Sequence, residues 1–161
     1  MNKCHVECLP EEVLMLNLGV GFTREIIEHH KGSGAVCVAL AEGENLFGLI
    51  DEDPQRELQH PYYDKLYKKP ESEEHNIRYS IDSKKKNKLV FIKPSFEPWL
   101  IEIARKSRVH MSDYNLSDDP DILHREINFK KADLQKLLHH LIKIKCPAII
   151  RLKNIINSSS I

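Results

Sequence analysis

Acidic residues at the ends of apolar segments carry the chemistry this chain is equipped for. Asp51 and Asp53 stand two residues apart in Asp51-Glu52-Asp53-Pro54, directly after Leu46-Phe47-Gly48-Leu49-Ile50. In an extended backbone, residues two apart share a face, so the two aspartates converge and Glu52 points away. Glu7 ends a first short apolar segment, and Glu97 follows a third, Lys88-Leu89-Val90-Phe91-Ile92. Converging carboxylates repel one another unless a cation neutralises them. A few hard oxygen donors suit Mg²⁺ (or Mn²⁺), which keeps some of its waters and borrows phosphate oxygens from a substrate. Such a set fits a one- or two-metal site for phosphodiester chemistry. Each acid alone has a plainer explanation as a turn residue or helix cap. Their common place at strand ends is what joins them.

A parallel sheet would bring these acids together, because its ligand sites gather at the carboxyl ends of its strands. The patterning predicts one. Residues 3–8 read as a strand, with Cys4, Val6 and Cys8 on one face. Pro10 suits a first helical turn, Glu11 and Glu12 suit its positive start, and Gly19 and Gly21 end the buried helix that follows. Residues 22–30 form a second amphipathic stretch with Phe22, Ile26 and Ile27 inward, broken by Lys31-Gly32-Ser33-Gly34. Residues 35–41 fit a helix capped by Ser33, with a strand through Val36-Cys37-Val38 as the alternative. Residues 46–50 and 88–92 are apolar runs typical of strands buried on both faces.

Between those two strands, residues 55–76 read as a polar surface excursion with a helical turn around Tyr62, and residues 77–81 as an edge strand. A basic turn follows at residues 83–88. Residues 96–107 form an amphipathic helix with Trp99, Leu100, Ile103 and Ala104 inward, so Trp99 belongs to the core. Residues 115–121 are a polar loop whose Asp118, Asp119 and Asp121 are loop and cap acids. Residues 133–145 are a helix with leucines at helical spacing. The expectation is one α/β domain over residues 1–156, a small, mainly parallel sheet flanked by helices, with a frayed tail at 157–161.

Charge and composition narrow the partners. The chain has 161 residues, a one-domain length, and 24 basic residues against 24 acidic ones. No global basic field collects nucleic acid. Contact with phosphates would use a local patch, for which Lys84, Lys85, Lys86, Lys88 and Lys93 are the candidates beside the acids. No apolar run is long enough for a membrane span and no charged-then-apolar leader opens the chain. Cys4, Cys8, Cys37 and Cys146 lie in apolar segments, which predicts free buried thiols in a reducing, cytoplasmic setting. No CxxC pair predicts a zinc finger. The His29-His30 and His139-His140 pairs read as solvated or structural.

The residues resemble the Toprim-like fold of primases, type II topoisomerases and the overcoming-lysogenisation-defect nucleases. Val6-Glu7-Cys8 matches the glutamate that ends that family's first strand, although Cys8 stands where a glycine is usual. Gly48-Leu49-Ile50-Asp51-Glu52-Asp53 matches its later strand and Asp-x-Asp, and Glu97 in Phe96-Glu97-Pro98-Trp99 matches a further nuclease acid. The likeness spans residues 3–107, with a strand between the first two helices not evident unless residues 35–40 supply it. It implies a Mg²⁺- or Mn²⁺-dependent nuclease subunit for DNA or RNA. Asp51 and Asp53 would be metal ligands, Glu7 a ligand or general base, and Glu97 a ligand to a second metal. It also implies an ABC-type ATPase partner, fused or as a separate chain, since these residues hold no phosphate-binding Gly-x-x-x-x-Gly-Lys loop, and a setting in phage defence. The alternative is a non-catalytic adaptor that keeps the fold.

Overall fold

Six strands, β1 (Cys4–Val6), β2 (Ile27–His29), β3 (Phe47–Asp51), β4 (Ser72–Glu74), β5 (Ile77–Asp82) and β6 (Asn87–Ile92), form one sheet in the computed structural model, which describes residues 3–52 and 60–158. Their order is β2-β1-β3-β6-β5-β4. The first four of that order run parallel, and β5 and β4 are antiparallel additions. Among the described residues seven α-helices accompany them: α1 (Leu9–Asn17), α2 (Ser33–Glu42), α3 (Pro61–Tyr67), α4 (Phe96–Lys106), α5 (Pro120–Glu126), α6 (Lys131–Lys143) and α7 (Pro147–Asn157).

The period of two along the strands splits the core into two layers. Cys4, Val6, Phe47, Leu49, Val90 and Ile92 face α1, α4, α6 and α7. Ile50, Leu89 and Phe91 face α2 and α3, where Val36, Leu40, Tyr63 and Leu66 meet them. Both faces are covered, which is why β3 and β6 carry uninterrupted apolar runs. Gly48 lets α2 settle on its face: a Cβ there would lie 2.9 Å from Leu89 Cδ1 and 3.0 Å from Leu40 Cδ2.

The chain leaves β1 through α1 to β2, then crosses back through α2 to β3 on the other side of β1. Strand order therefore reverses between β1 and β3, with α1 and α2 on opposite faces. Open α/β sheets place ligands in the crevice at the carboxyl ends of such a reversal. Glu7 follows β1 and Asp51 ends β3.

Several elements depart from what the patterning predicts. Residues 22–30 are not one helix-like stretch. After Gly21, a single 3₁₀ turn (Arg24–Ile26) leads into β2. Gly21 and Gly32 both hold positive φ and leave too short a run for a helix, while β2 finds a full ladder on β1. That strand, not residues 35–40, separates the first two helices. Residues 35–41 are helical, but Gly32 is the cap and Ser33 the first turn, without a side-chain capping bond. β5 is not an edge, because β4 pairs with it. Two helices beyond α4 arise where none is expected, α5 and α7. Asp119 does cap α5, accepting from the Asp121 and Ile122 amides at 2.9 and 3.0 Å. Of the tail, Asn157 still belongs to α7. The four cysteines are free thiols. Among the described residues, no helix is long and apolar enough to cross a membrane.

Candidate functional site

Glu7 is set by the step from β1 into α1. Its Oε1 reaches across the reversal point and accepts from the Asp51 amide at 3.1 Å. Glu11, third residue of α1, is fully buried. Its Oε2 accepts from the amides of Glu7 at 2.7 Å and Cys8 at 3.3 Å, tying the helix start down. Its Oε1 has no hydrogen-bond partner among the described residues. Burial first, then the charges of Asp51 and Glu7, hold the Glu11 carboxyl well above the usual carboxylate range. Glu7, Glu11 and Asp51 thus share one electrostatic neighbourhood.

Cys8 sits among these acids. Burial pushes its thiol up, and so do Glu11, Asp51 and Glu97. That environment disfavours the thiolate, the nucleophilic form of a cysteine. Glu97 opens α4, is nearly buried, and bonds His124 Nδ1 of α5 at 2.9 Å. Glu52 turns the other way, as the alternation requires. It accepts from the Tyr67 hydroxyl, and its backbone carbonyl accepts from Tyr63 Oη at 2.9 Å. Asp53 lies outside the described residues. Trp99 is fully buried, with Nε1 donating to the His75 carbonyl at 3.2 Å.

The structure brings Glu7, Asp51 and Glu97 towards one end of the sheet and adds Glu11, which sequence reasoning placed only as an ordinary first-turn acid. Its spacing four residues after Glu7 was the available signal. These acids are more open than a closed metal cage. Among the described residues, three metal-ligand atoms come within 4.8 Å of one another only at His5, Glu28 and His30.

The lysines do not gather beside the acids. Lys84, Lys85 and Lys86 occupy the β5–β6 turn, at the amino end of β6. A six-residue strand separates them from the carboxyl end, roughly 20 Å at about 3.3 Å per residue. Lys88 is buried, and its Nζ donates to the Ile155 carbonyl at 2.8 Å and Ser158 Oγ at 2.9 Å, closing the carboxyl end of α7. A cation there suits the helix dipole and satisfies orphan carbonyls, so Lys88 is not a phosphate contact. Lys93 does lie at the carboxyl end of β6, but it pairs with Glu73 and approaches Glu52 at 3.7 Å.

A raised carboxyl has a consequence for stability. A group whose folded pKa exceeds its unfolded one gives stability below the unfolded value, near 4.3, and loses it as pH rises through the folded value. Glu11 therefore weakens the metal-free fold at neutral pH. Glu11→Gln keeps an amide oxygen for the Glu7 and Cys8 amides and removes the titration. It should stabilise the metal-free protein at pH 8, because the buried site then carries no charge beside Asp51 and Glu7. It should also flatten the fall in stability above pH 5. Urea unfolding at pH 5 and 8 checks this, and a loss of stability at pH 8 would show that the carboxyl is needed for the fold.

No protein-family model, no curated protein and no solved structure matches the chain.

Proposed function

We propose that the chain is a metal-dependent phosphodiesterase subunit acting on nucleic acid, with Glu7, Glu11 and Asp51 as the core of a Mg²⁺ or Mn²⁺ site. The observation that carries this reading is the buried, half-satisfied Glu11 carboxyl beside Glu7 and Asp51, at the point where strand order reverses. A divalent ion there would supply the missing partner for Glu11 Oε1. It would draw the Glu11 proton off as it binds, so affinity should rise with pH. In a Toprim-like nuclease, the ion would polarise a phosphoryl oxygen and activate a water. Glu7 would take the proton of that water. Glu97 and Asp53 are candidates for a second ion.

The reading requires a partner. Attraction of a polyanion normally comes from basic charge and the counterions it releases. The chain has equal numbers of basic and acidic residues. Lys84–Lys86 lie at the amino end of β6, away from the acids, Lys88 is buried and Lys93 is paired with acids. A second chain with a basic groove, in the Toprim-like setting an ABC-type ATPase, would supply the missing field. The purified chain with Mn²⁺ should cleave DNA or RNA weakly and lose that activity steeply between 50 and 200 mM salt, a range over which affinities with several phosphate contacts fall by about 10³ or more. The partner should restore rapid cleavage. Vigorous turnover by the chain alone at physiological salt would refute the partner requirement.

The adaptor reading rests on a specific observation of its own: the Glu97 tie to His124 and the open spacing of the acids. Absence of cleavage under every metal, with the partner present, would favour it.

A further inference from the structure

The other histidine-bearing edge of the sheet holds a different set of donors. His5 is the middle residue of β1 and pairs in register with Glu28 of β2. Paired residues in a parallel ladder share a face, and His30, two residues beyond Glu28, shares it too. His29 is on the opposite face, where its Nε2 meets Glu12 of α1 at 2.6 Å. The adjacent histidines therefore part company, and only His30 joins His5. The His30 amide donates to the Val6 carbonyl at 2.9 Å, which fixes the ring beside β1.

The three side chains converge. His5 Nδ1 lies 2.8 Å from His30 Nε2 and 3.6 Å from Glu28 Oε2. All three ligand atoms fall within 4.8 Å of one another. Lys3 holds the other Glu28 oxygen, Oε1, and so turns Oε2 towards the rings. His5 is 3% exposed, while the Glu28 side chain is 40% exposed. One wall of the cluster is thus rigid and dry, and the other opens to solvent.

We propose that His5, Glu28 and His30 form a second metal site, for a zinc-class transition ion, separate from the acids at Glu7 and Asp51. Two imidazole nitrogens and one carboxylate oxygen suit zinc, cobalt or nickel and do not suit magnesium. Bonds of about 2.0–2.1 Å at near-tetrahedral angles hold ligand atoms about 3.3 Å apart. The nitrogens must open by about 0.5 Å from their direct hydrogen bond, and Oε2 must close by about 0.3 Å. Both are side-chain adjustments. Water completes the shell on the open side. The ion would staple the edge strand β2 to β1, the strand that delivers Glu7.

Calorimetric titration of Zn²⁺ into the metal-stripped full chain tests the site, with His30→Ala, Glu28→Gln and Asp51→Asn alongside. One Zn²⁺ should bind at this cluster, besides any ion that the acids take up. His30→Ala and Glu28→Gln should each raise its Kd by at least about tenfold, the lower end even for groups that only support a ligand. Asp51→Asn should leave Kd unchanged, which separates this site from the acidic one. Absence of Zn²⁺ binding, or a Kd unmoved by both His30→Ala and Glu28→Gln, or one lost in Asp51→Asn, would overturn the proposal.

Discussion

Asp51→Asn should abolish Mg²⁺ and Mn²⁺ binding at the acidic site and reduce phosphodiester cleavage by roughly a thousandfold or more. The magnitude follows from the several kcal/mol a metal ion contributes to a charged transition state, at about 1.4 kcal/mol per tenfold. The same substitution should leave the metal-free melting temperature unchanged or higher. Asp51 is the first of the charges that push the Glu11 carboxyl up, so removing it relieves the buried acid. Its backbone role survives, because the Asp51 amide, which donates to Glu7, is untouched. Calorimetric metal titration and a thermal melt of the variant check both halves. A clear drop in metal-free stability would identify Asp51 as a structural cap and remove it from the metal site.

Trp99→Ala should cost about 3–5 kcal/mol of stability, the range for large aromatic truncations in a core. Trp99 is fully buried between α4 and the sheet, packs on Phe96 with ring centroids 5.9 Å apart, and bonds the His75 carbonyl. Its loss removes that packing and the bond to the His75 carbonyl. The urea midpoint should fall steeply with the slope unchanged. A loss below about 1 kcal/mol, of the size typical for surface changes, with weakened nucleic-acid binding would instead make the indole a stacking platform.

The parts of the fold legible in the sequence are those with long, consistent patterns. β3 and β6 are apolar runs with no polar alternation because both their faces are covered, and Asp51 is readable as the acid that ends one of them. α4 declares itself through Trp99, Leu100, Ile103 and Ala104. β2 does not, because three residues carry no period and its strand character comes from pairing with β1. α7 had a readable signal in Ala148, Ile149, Leu152, Ile155 and Ile156 behind Pro147, a run that buries against the sheet.

At the site, Glu7 was legible from its place after β1, whereas Glu11 was masked by its ordinariness as a first-turn acid. Only its burial, and the two amides that fold its carboxyl back towards Glu7, distinguish it. Lys88 shows the converse. A lysine at the head of a strand reads as a turn cation until the carboxyl end of α7, 67 residues later, is seen to rest on it. Such pairings at long sequence separation leave no local trace. The convergence of His5, Glu28 and His30 likewise depends on the register of β1 against β2.

The proposed site would hold a divalent cation between Glu7, Glu11 and Asp51. A crystal of the chain soaked in Mn²⁺ tests it most directly, through the anomalous density at this cluster. A peak is expected between the three carboxylates, at the carboxyl ends of β1 and β3, which disappears in Asp51→Asn crystals soaked alike. A well-ordered cluster with no anomalous peak, or an undiminished peak in Asp51→Asn, would contradict it.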